Sequence, residues 1–516
     1  MAYPDSNDLQ KKLRVNPSVA SRVSQSLDRI SAGSNEIYAT PLEAYKSELF
    51  DRTMQLVENN VDKLDPELKA IELKQAEKFG PRSIAKPWVD RRQSLEDYFE
   101  LGPDPDFSLI EQDVGSLPLQ HLRPASIYSA SKVLKPDTSA GLPFMQKKKF
   151  VLQKVAETLQ YYLDREDPAL LGTRTQEQGK TRNVWMFPIA TTLQEMRYFL
   201  PLLAFQRERA WRSALRGPEA VDAHIDKIIR VSTAAKRPLV SVDFSSYDAS
   251  VKPRHQEMAF YYFRRLFQPS SYDMLEDIRV RISSIPIVTP DGVRYGQHGV
   301  PSGTTFTNEL DSVVQWLIAL SSEVVDMFDI QGDDGLYATK HPDVLKSAFA
   351  EHGLNVNEEK SVISDHYCVY LQNYYSLRYT NKAGVVSGVY PIFRALNRLL
   401  YLERWANFED YDVDGQSYFT IRALQILENT RNHPLFGEFV KLIYDHDKYK
   451  LKYTNSGLKR FRVMERSSRG AGELLSHHYG DVLGNLGKFE TVKLIESFNS
   501  RSNERAAVSQ IGRAHV

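Results

Sequence analysis

A single cysteine, Cys368, stands in a chain of 516 residues. One cysteine cannot close an intramolecular disulfide, so a disulfide framework is excluded and a reducing compartment is implied. Net charge is equally absent, because 66 Lys and Arg balance 66 Asp and Glu. Overall charge therefore neither favours nor excludes a nucleic-acid partner, and any basic surface must be local. No run of 18 apolar residues occurs, which leaves no candidate membrane span. The opening MAYPDSNDLQKKL lacks the apolar stretch of a signal peptide. No internal repeat and no low-complexity block is evident.

What is present is ordinary for a globular protein: 42% hydrophobic and 26% charged residues, with 27 Tyr and 24 Phe. The length implies about two to four subdomains. Residues 1–80 read as polar and helical, with heptad-like apolar spacing in SRVSQSLDRI and YKSELFDRTMQLVENNV. Prolines punctuate the next stretch. From Pro238 strand-like runs (PLVSVDF, SIPIVTP, VDMFDIQ, GLYAT) alternate with helical ones, and from about Val385 the chain reads as helical. That order predicts an α+β fold with a helix-rich front, a mixed middle and a helical rear.

The middle carries the chemistry. Leu239–Val242 reads as a buried strand that ends on Asp243, with Asp248 five residues later. In QGDDG the adjacent Asp333 and Asp334 stand between two strand-like runs. Successive strand residues face opposite ways, so two neighbouring carboxylates converge only at a turn, and Gly332 and Gly335 bracket one. Burying such a pair is expensive without a cation. Three carboxylates from a strand end and a hairpin can meet around two hard cations, and oxygen ligands beside a phosphate select magnesium. Between them, HGVPSGTTFTNELDSVV offers a small-residue loop followed by a helix N-terminus. Each piece alone has a plainer reading: a common Asp spacing, a solvated turn, a helix-capping loop.

In this order the pieces strongly resemble the palm of viral RNA-dependent RNA polymerases. Asp243 and Asp248 match motif A, Ser302, Gly303 and Thr307 match motif B, and Gly332, Asp333 and Asp334 match motif C. Upstream, TSAGLPF resembles motif G, with Thr138, Ser139, Gly141 and Pro143 along the entering template. RTQEQGKTRNVWMFP resembles motif F, with Arg174, Lys180 and Arg182 at nucleotide entry. Downstream, HGLNVNEEKSV resembles motif D and ends at Lys360, and VYLQNYYS sits where the primer-grip motif E belongs. The resemblance spans about residues 136–376, and it is nearest to the small double-stranded RNA viruses, picobirnaviruses first and partitiviruses second. One departure stands out. Many positive-strand enzymes of the family carry Asn four residues after the motif B threonine, where this chain has Asp311, while Asn308 directly follows Thr307.

The resemblance implies a right hand. Residues 1–80 would bridge fingers and thumb. The fingers would comprise 81–238 with 255–297 inserted, the palm 239–254 and 298–380, and the thumb and tail 381–516. It implies template-directed RNA synthesis in which Asp243 and Asp333 hold two magnesium ions, manganese being a possible substitute, with Asp334 in support. Lys360 would protonate the departing pyrophosphate, or be a surface lysine. Arg174, Lys180 and Arg182 would grip the triphosphate, or form a solvated basic loop. Asp248 would read the ribose with Ser302, Asn308 or Asp311. Tyr374 and Tyr375 would support the primer end or pack in the core. Lys147, Lys148 and Lys149 would track template phosphates or merely solubilise. The implied partners are template and product RNA, ribonucleoside triphosphates and a viral capsid protein, with no membrane. The implied location is the virion interior and host cytoplasm.

Other readings fit the sequence less well. Asp410, Asp412 and Asp414 have EF-hand spacing, but position twelve is Ile421 where the loop needs Glu, so a polar loop is expected. His477–His478 has no companion ligand. A reverse transcriptase would put a bulky aromatic where Asp248 stands, and a non-enzymatic RNA-packaging protein would carry a basic arm. The last six residues, Ile511–Val516 (IGRAHV), are also what one frame of a common sequencing-adapter oligonucleotide encodes. They are expected to be foreign, the alternative being a natural polar tail.

Overall fold

The chain begins in helices. A computed structural model describes residues 6–469, 477–481 and 483–498; the tail Ile511–Val516 lies outside them. Helices Ser6–Leu13, Pro17–Ala32, Lys46–Asn59 and Pro66–Ala76 fill the first segment. Their apolar sides go to two places. Leu9, Leu13, Val19, Val23 and Leu27 pack with Leu142, Leu170 and Val288. Leu42, Leu49, Val57, Leu64 and Leu68 pack with Ile392, Leu396, Leu424 and Phe439 of the rear helices. Buried Glu72 fixes the second contact by accepting the N–H groups of Ile392 (2.8 Å) and Phe393 (3.1 Å). These open the helix Ile392–Leu400, whose first turn has no intrahelical acceptor and favours a negative partner.

The described residues hold ten strands: β1 (Ala169–Thr175), β2 (Thr181–Met186), β3 (Leu239–Val242), β4 (Ile287–Thr289), β5 (Gly292–Arg294), β6 (Met327–Gln331), β7 (Asp334–Ala338), β8 (Val362–Ser364), β9 (Tyr367–Tyr370) and β10 (Asn373–Ser376). They form an outer sheet ordered β2-β1-β4-β5, a central antiparallel sheet ordered β6-β7-β3-β8, and the hairpin β9–β10. The strands expected near PLVSVDF, SIPIVTP, VDMFDIQ and GLYAT are β3, β4, β6 and β7. The pair β1–β2 corrects the expectation that strands begin at Pro238. The first four residues of β1 are all buried, so that strand shows no alternation.

The central sheet is covered on both faces. Ile225 and Ile229 of the helix Pro218–Ala234 pack on Leu239, Leu336 and Ala338. Leu310, Val314 and Leu317 of the helix Thr307–Ser321 belong to the cluster of Val240, Val242, Ile330 and Tyr337. Double coverage explains why all four residues of β3 are buried, Ser241 included, and why its end is held rigidly. After the sheet in chain order come the helices Ile392–Leu400, Gly415–Asn429, Phe436–His446 and Asn455–Arg469. The EF-hand-like aspartates have other work. Asp414 caps Gly415–Asn429 by accepting from Ser417 N–H (2.7 Å), and Asp410 lies 3.7 Å from Lys147.

Candidate active site

The β6–β7 pairing sets Gln331 opposite Asp334, which leaves Gly332–Asp333 as a two-residue turn. Gly332 has φ +66° and Asp333 is not left-handed, which fits a II′ hairpin with glycine first. Gly335 was expected to bracket the turn; instead it sits within β7. Its glycine answers a different need, since a Cβ there would lie 1.9 Å from Gln315 Oε1.

Asp243 follows the last residue of β3. Its carbonyl accepts from Asn357 N–H (2.8 Å), and its N–H donates to Ser361 Oγ (3.1 Å). Asp243, Asp248 and Asp333 line one cavity of about 390 Å³ with Tyr98, Lys180, Arg182, Ser302 and Lys360. Lys360 Nζ lies 3.5 Å from Asp243 Oδ2. Asp334 is not part of this lining and sits behind Asp333 in β7.

The acids make one another expensive. Burial pushes the Asp334 carboxyl well above its usual range, and Asp333 and Asp243 push further. Asp333 opens on the cleft, yet the enclosing walls raise it too, with Asp243 adding and Arg182 and Lys180 opposing. Lys180 is lowered by burial, then by Arg182 and Lys360.

Five residues past Asp243, burial and then Asp333 raise Asp248 to about 6. Asp311 is raised well above the usual range by burial, then by Asp248 and Asp333. The two share a hydrogen bond, so one proton serves both, and the deeper Asp311 is the donor. Ser302 Oγ also donates to Asp248. Asn308 is turned elsewhere: its Oδ1 accepts from Gln331 Nε2 (2.9 Å), and its Nδ2 lies against Gly332. Thr307 closes its own loop by donating to Thr304 O (2.9 Å). Gly303 lets that loop touch β2, where a Cβ would lie 1.9 Å from Trp185 O, and Trp185 N–H donates to Ser302 O (2.9 Å).

The remaining candidates are more scattered. Arg174 and Arg182 are direct cross-strand partners in β1–β2, where like charges repel. Arg182 faces the cavity, while Arg174 pairs with Glu403 at 3.0 Å. Thr138 and Ser139 line a second cavity of about 650 Å³ with Trp405 and Tyr411. Gly141 has φ +64° and would collide with Phe187 O if it bore a Cβ; Pro143 lies in the same loop. Lys147 and Lys149 pair with Asp137 (3.7 and 2.9 Å), and Lys148 donates to Thr138 Oγ1 (3.0 Å). Burial lowers Lys148 to about 8. Tyr374 and Tyr375 are each 1% exposed, and the Tyr374 hydroxyl donates to Asp65 Oδ2 (3.0 Å).

Three residues at the site escaped the sequence reading. Tyr98 reaches Ser302 (3.4 Å), buried Glu195 accepts from Thr305 N–H (2.7 Å) in the motif B loop, and Arg212 binds Asn308. Each acts across about a hundred residues or more, with no local pattern to mark it.

Among the described residues no three His, Cys, Asp or Glu side chains form a ready-made metal cage. Magnesium seldom uses one. It takes one or two carboxylates and leaves its other positions to water and substrate phosphate. Asp243 and Asp333, both hard oxygen donors at a cavity wall and crowded by further acids, fit such an ion.

Residues 110–388, more than half of the chain, match the profile of the family described as viral RNA-dependent RNA polymerase. The chain belongs to that family. It is an RNA-directed RNA polymerase with an α+β fold, and RNA and nucleotides are the partners of such an enzyme. A potential RNA-dependent RNA polymerase of human picobirnavirus (strain Human/Thailand/Hy005102/-) is 30% identical over 465 residues, 82% of this chain and 84% of that one. The RNA-directed RNA polymerase of Cryptosporidium parvum virus 1 is 24% identical over 218 residues, 38% of this chain and 40% of that one. The crystal structure of a human picobirnavirus RNA-dependent RNA polymerase superposes with TM-score 0.79 at 25% identity, covering 94% of this polymerase and 99% of that chain. No helix among the described residues is long and apolar enough to cross a membrane.

Proposed function

We propose that this polymerase copies RNA by two-metal nucleotidyl transfer, and that it replicates and transcribes a viral double-stranded RNA genome. The observation that carries the mechanism is the shared cavity. Asp243 from the end of β3 and Asp333 from the β6–β7 turn face it together with Lys180 and Arg182. Asp243 and Asp333 hold two magnesium ions, with Asp334 behind and manganese as a substitute. Bound there, the ions supply charge neutralisation at the phosphates and a more acidic terminal hydroxyl.

The chain's own residues position the rest. Lys180 and Arg182 hold the triphosphate, arginine as a fork and lysine as a point charge. Arg174 joins them by exchanging Glu403 for phosphate. Lys360 gives a proton to the departing pyrophosphate. Asp248 reads the 2′-hydroxyl, with Ser302 and Asp311 fixing its orientation by hydrogen bonds. Template passes Thr138, Ser139, Gly141 and Pro143, a path supported at Thr138 and Ser139 by the second cavity they line. A viral capsid protein as partner, and the virion interior and host cytoplasm as location, belong to the same proposal.

The test is the purified chain with single-stranded RNA, four ribonucleotides and magnesium, without primer. Full-length complementary product is expected, and none should form with deoxyribonucleotides alone. No product with either magnesium or manganese would overturn the reading.

A further inference from the structure

Arg212 stands just past the helix Ile189–Arg207, before the turn Ser213–Arg216, and its side chain is fully buried. A buried guanidinium is costly unless it is paired and hydrogen-bonded. Here its fork spans two elements. One arm, Nη1, donates to Glu309 Oε2 (2.8 Å) of the helix Thr307–Ser321. The other, Nη2, lies between Asn308 Oδ1 (3.3 Å) and Gln331 Oε1 (3.4 Å). Gln331 Nε2 closes the triangle on Asn308 Oδ1 (2.9 Å).

Gln331 directly precedes the turn that presents Asp333. The same helix grips that turn from its other side: Gly332 N–H donates to Ser312 Oγ (2.7 Å), and Gln315 Nε2 donates to Gly332 O (3.0 Å). The neighbouring Trp211 reinforces both attachments. Its carbonyl accepts from Ile330 N–H (3.0 Å), and its ring stacks on Trp316 at 5.0 Å.

We propose that Arg212 is a positioning residue that locks the helix bearing Asn308 to the hairpin bearing Asp333. The proposal rests on the polymerase reading and extends it to a residue that touches no substrate. Apolar packing would join two elements as firmly, but it slides more easily. A buried charge with three fixed acceptors specifies one register. The register matters because a misplacement of about 1 Å at a reacting group can cost about 10²-fold in rate. The geometry also reassigns Asn308, which serves this lock and not the sugar.

The test is single-nucleotide addition to a primed RNA, with melting measured on the same samples. Arg212→Lys keeps a cation for Glu309 but cannot span the fork. It should melt within about 3 °C of wild type while kcat falls about 10- to 100-fold and KM for the nucleotide moves less than about threefold. Asn308→Ala should show the same loss with an unchanged ribo/deoxy preference. The double variant should be no worse than either single change by more than about threefold, because both break one unit. Losses that multiply, a wild-type kcat in Arg212→Lys, or a shifted sugar preference in Asn308→Ala would each overturn the proposal. If Arg212→Lys does not fold, Gln331→Leu with Asn308→Ala forms the same cycle and is judged the same way. Wild-type extension, measured first, separates failure of the polymerase reading from failure of this one.

Discussion

Two hairpins of this chain are alike in plan and opposite in character. Both β6–β7 and β9–β10 are antiparallel with two-residue turns, Gly332–Asp333 and Leu371–Gln372. The first uses glycine where φ is positive. The second places Leu371 (φ 47°) and Gln372 (φ 65°) in the left-handed region, at a cost of about 1 kcal/mol each. Burial of Leu371 beside Cys368, Tyr370 and Tyr375 offsets that strain. The second hairpin's hydroxyls are also answered: Tyr374 donates to Asp65 and Tyr370 to Asp329 (2.7 Å). In the first, burial pushes Asp333 and Asp334 toward protonation, Asp243 adds to both, and Asp333 adds to Asp334. The hairpin that costs the fold something is the one at the cavity, and the strained one has been paid for by packing.

The contrast breaks most sharply at Asp333. Asp333→Asn or Asp243→Asn keeps shape and removes a hard ligand, so nucleotide incorporation should nearly vanish while RNA binding persists. Polymerisation near the wild-type rate in magnesium would sink the metal assignment. Asp333→Asn should not weaken the fold, because burial already disfavours the charge it removes. Raised carboxyl pKa values contribute stability that is full below the ordinary carboxylate range near about 4 and is lost as pH rises through the folded value, about 6 for Asp248. In metal-free buffer the melting temperature of wild type should therefore fall relative to that of Asp248→Asn as pH rises from about 4 to 6, and magnesium should flatten that difference. A difference that stays constant or reverses over that window without metal would contradict the electrostatic picture.

Smaller effects sharpen it. Lys360→Leu should slow the chemical step roughly 10²-fold with little change in nucleotide affinity; an unchanged single-turnover rate returns Lys360 to the surface. Asp248→Ala should narrow ribo-over-deoxy selectivity by at least ~10-fold, read as kcat/KM for a matched pair. An unchanged ratio would leave the sugar reader unidentified. In the second hairpin, Tyr374→Phe should lower stability by about 1 kcal/mol and leave primed synthesis intact. Weakened primer use at unchanged stability would move that hairpin back to the substrate.

How much of this was legible beforehand depended on range. Asp243, Asp248, Asp333 and Asp334 could be read because a strand end and a tight turn announce themselves within a few residues. The strands β3, β6 and β7 were visible for the same reason. The pair β1–β2 was not, because burial of β1 on both faces erased its alternation. The roles of Gly335 and Asn308 were misjudged or left open since each is set by a residue far along the chain: Gln315 for one, Arg212 and Gln331 for the other. Tyr374 and Tyr375 had two fair readings, and only packing shows both rings in the core.

The N-terminal helices remain. One half of that segment packs on β1 and β4, and the other half on the rear helices, with Glu72 capping Ile392–Leu400. A continuous strap of chain thus ties together two sides that also meet directly through Lys147–Asp410 and Arg174–Glu403. If RNA runs between those two sides, it would enter by threading and leave at a terminus. Long copies should consequently be finished in one encounter, and a covalently closed RNA circle, having no end to insert, should be a far poorer template than the same sequence cut open.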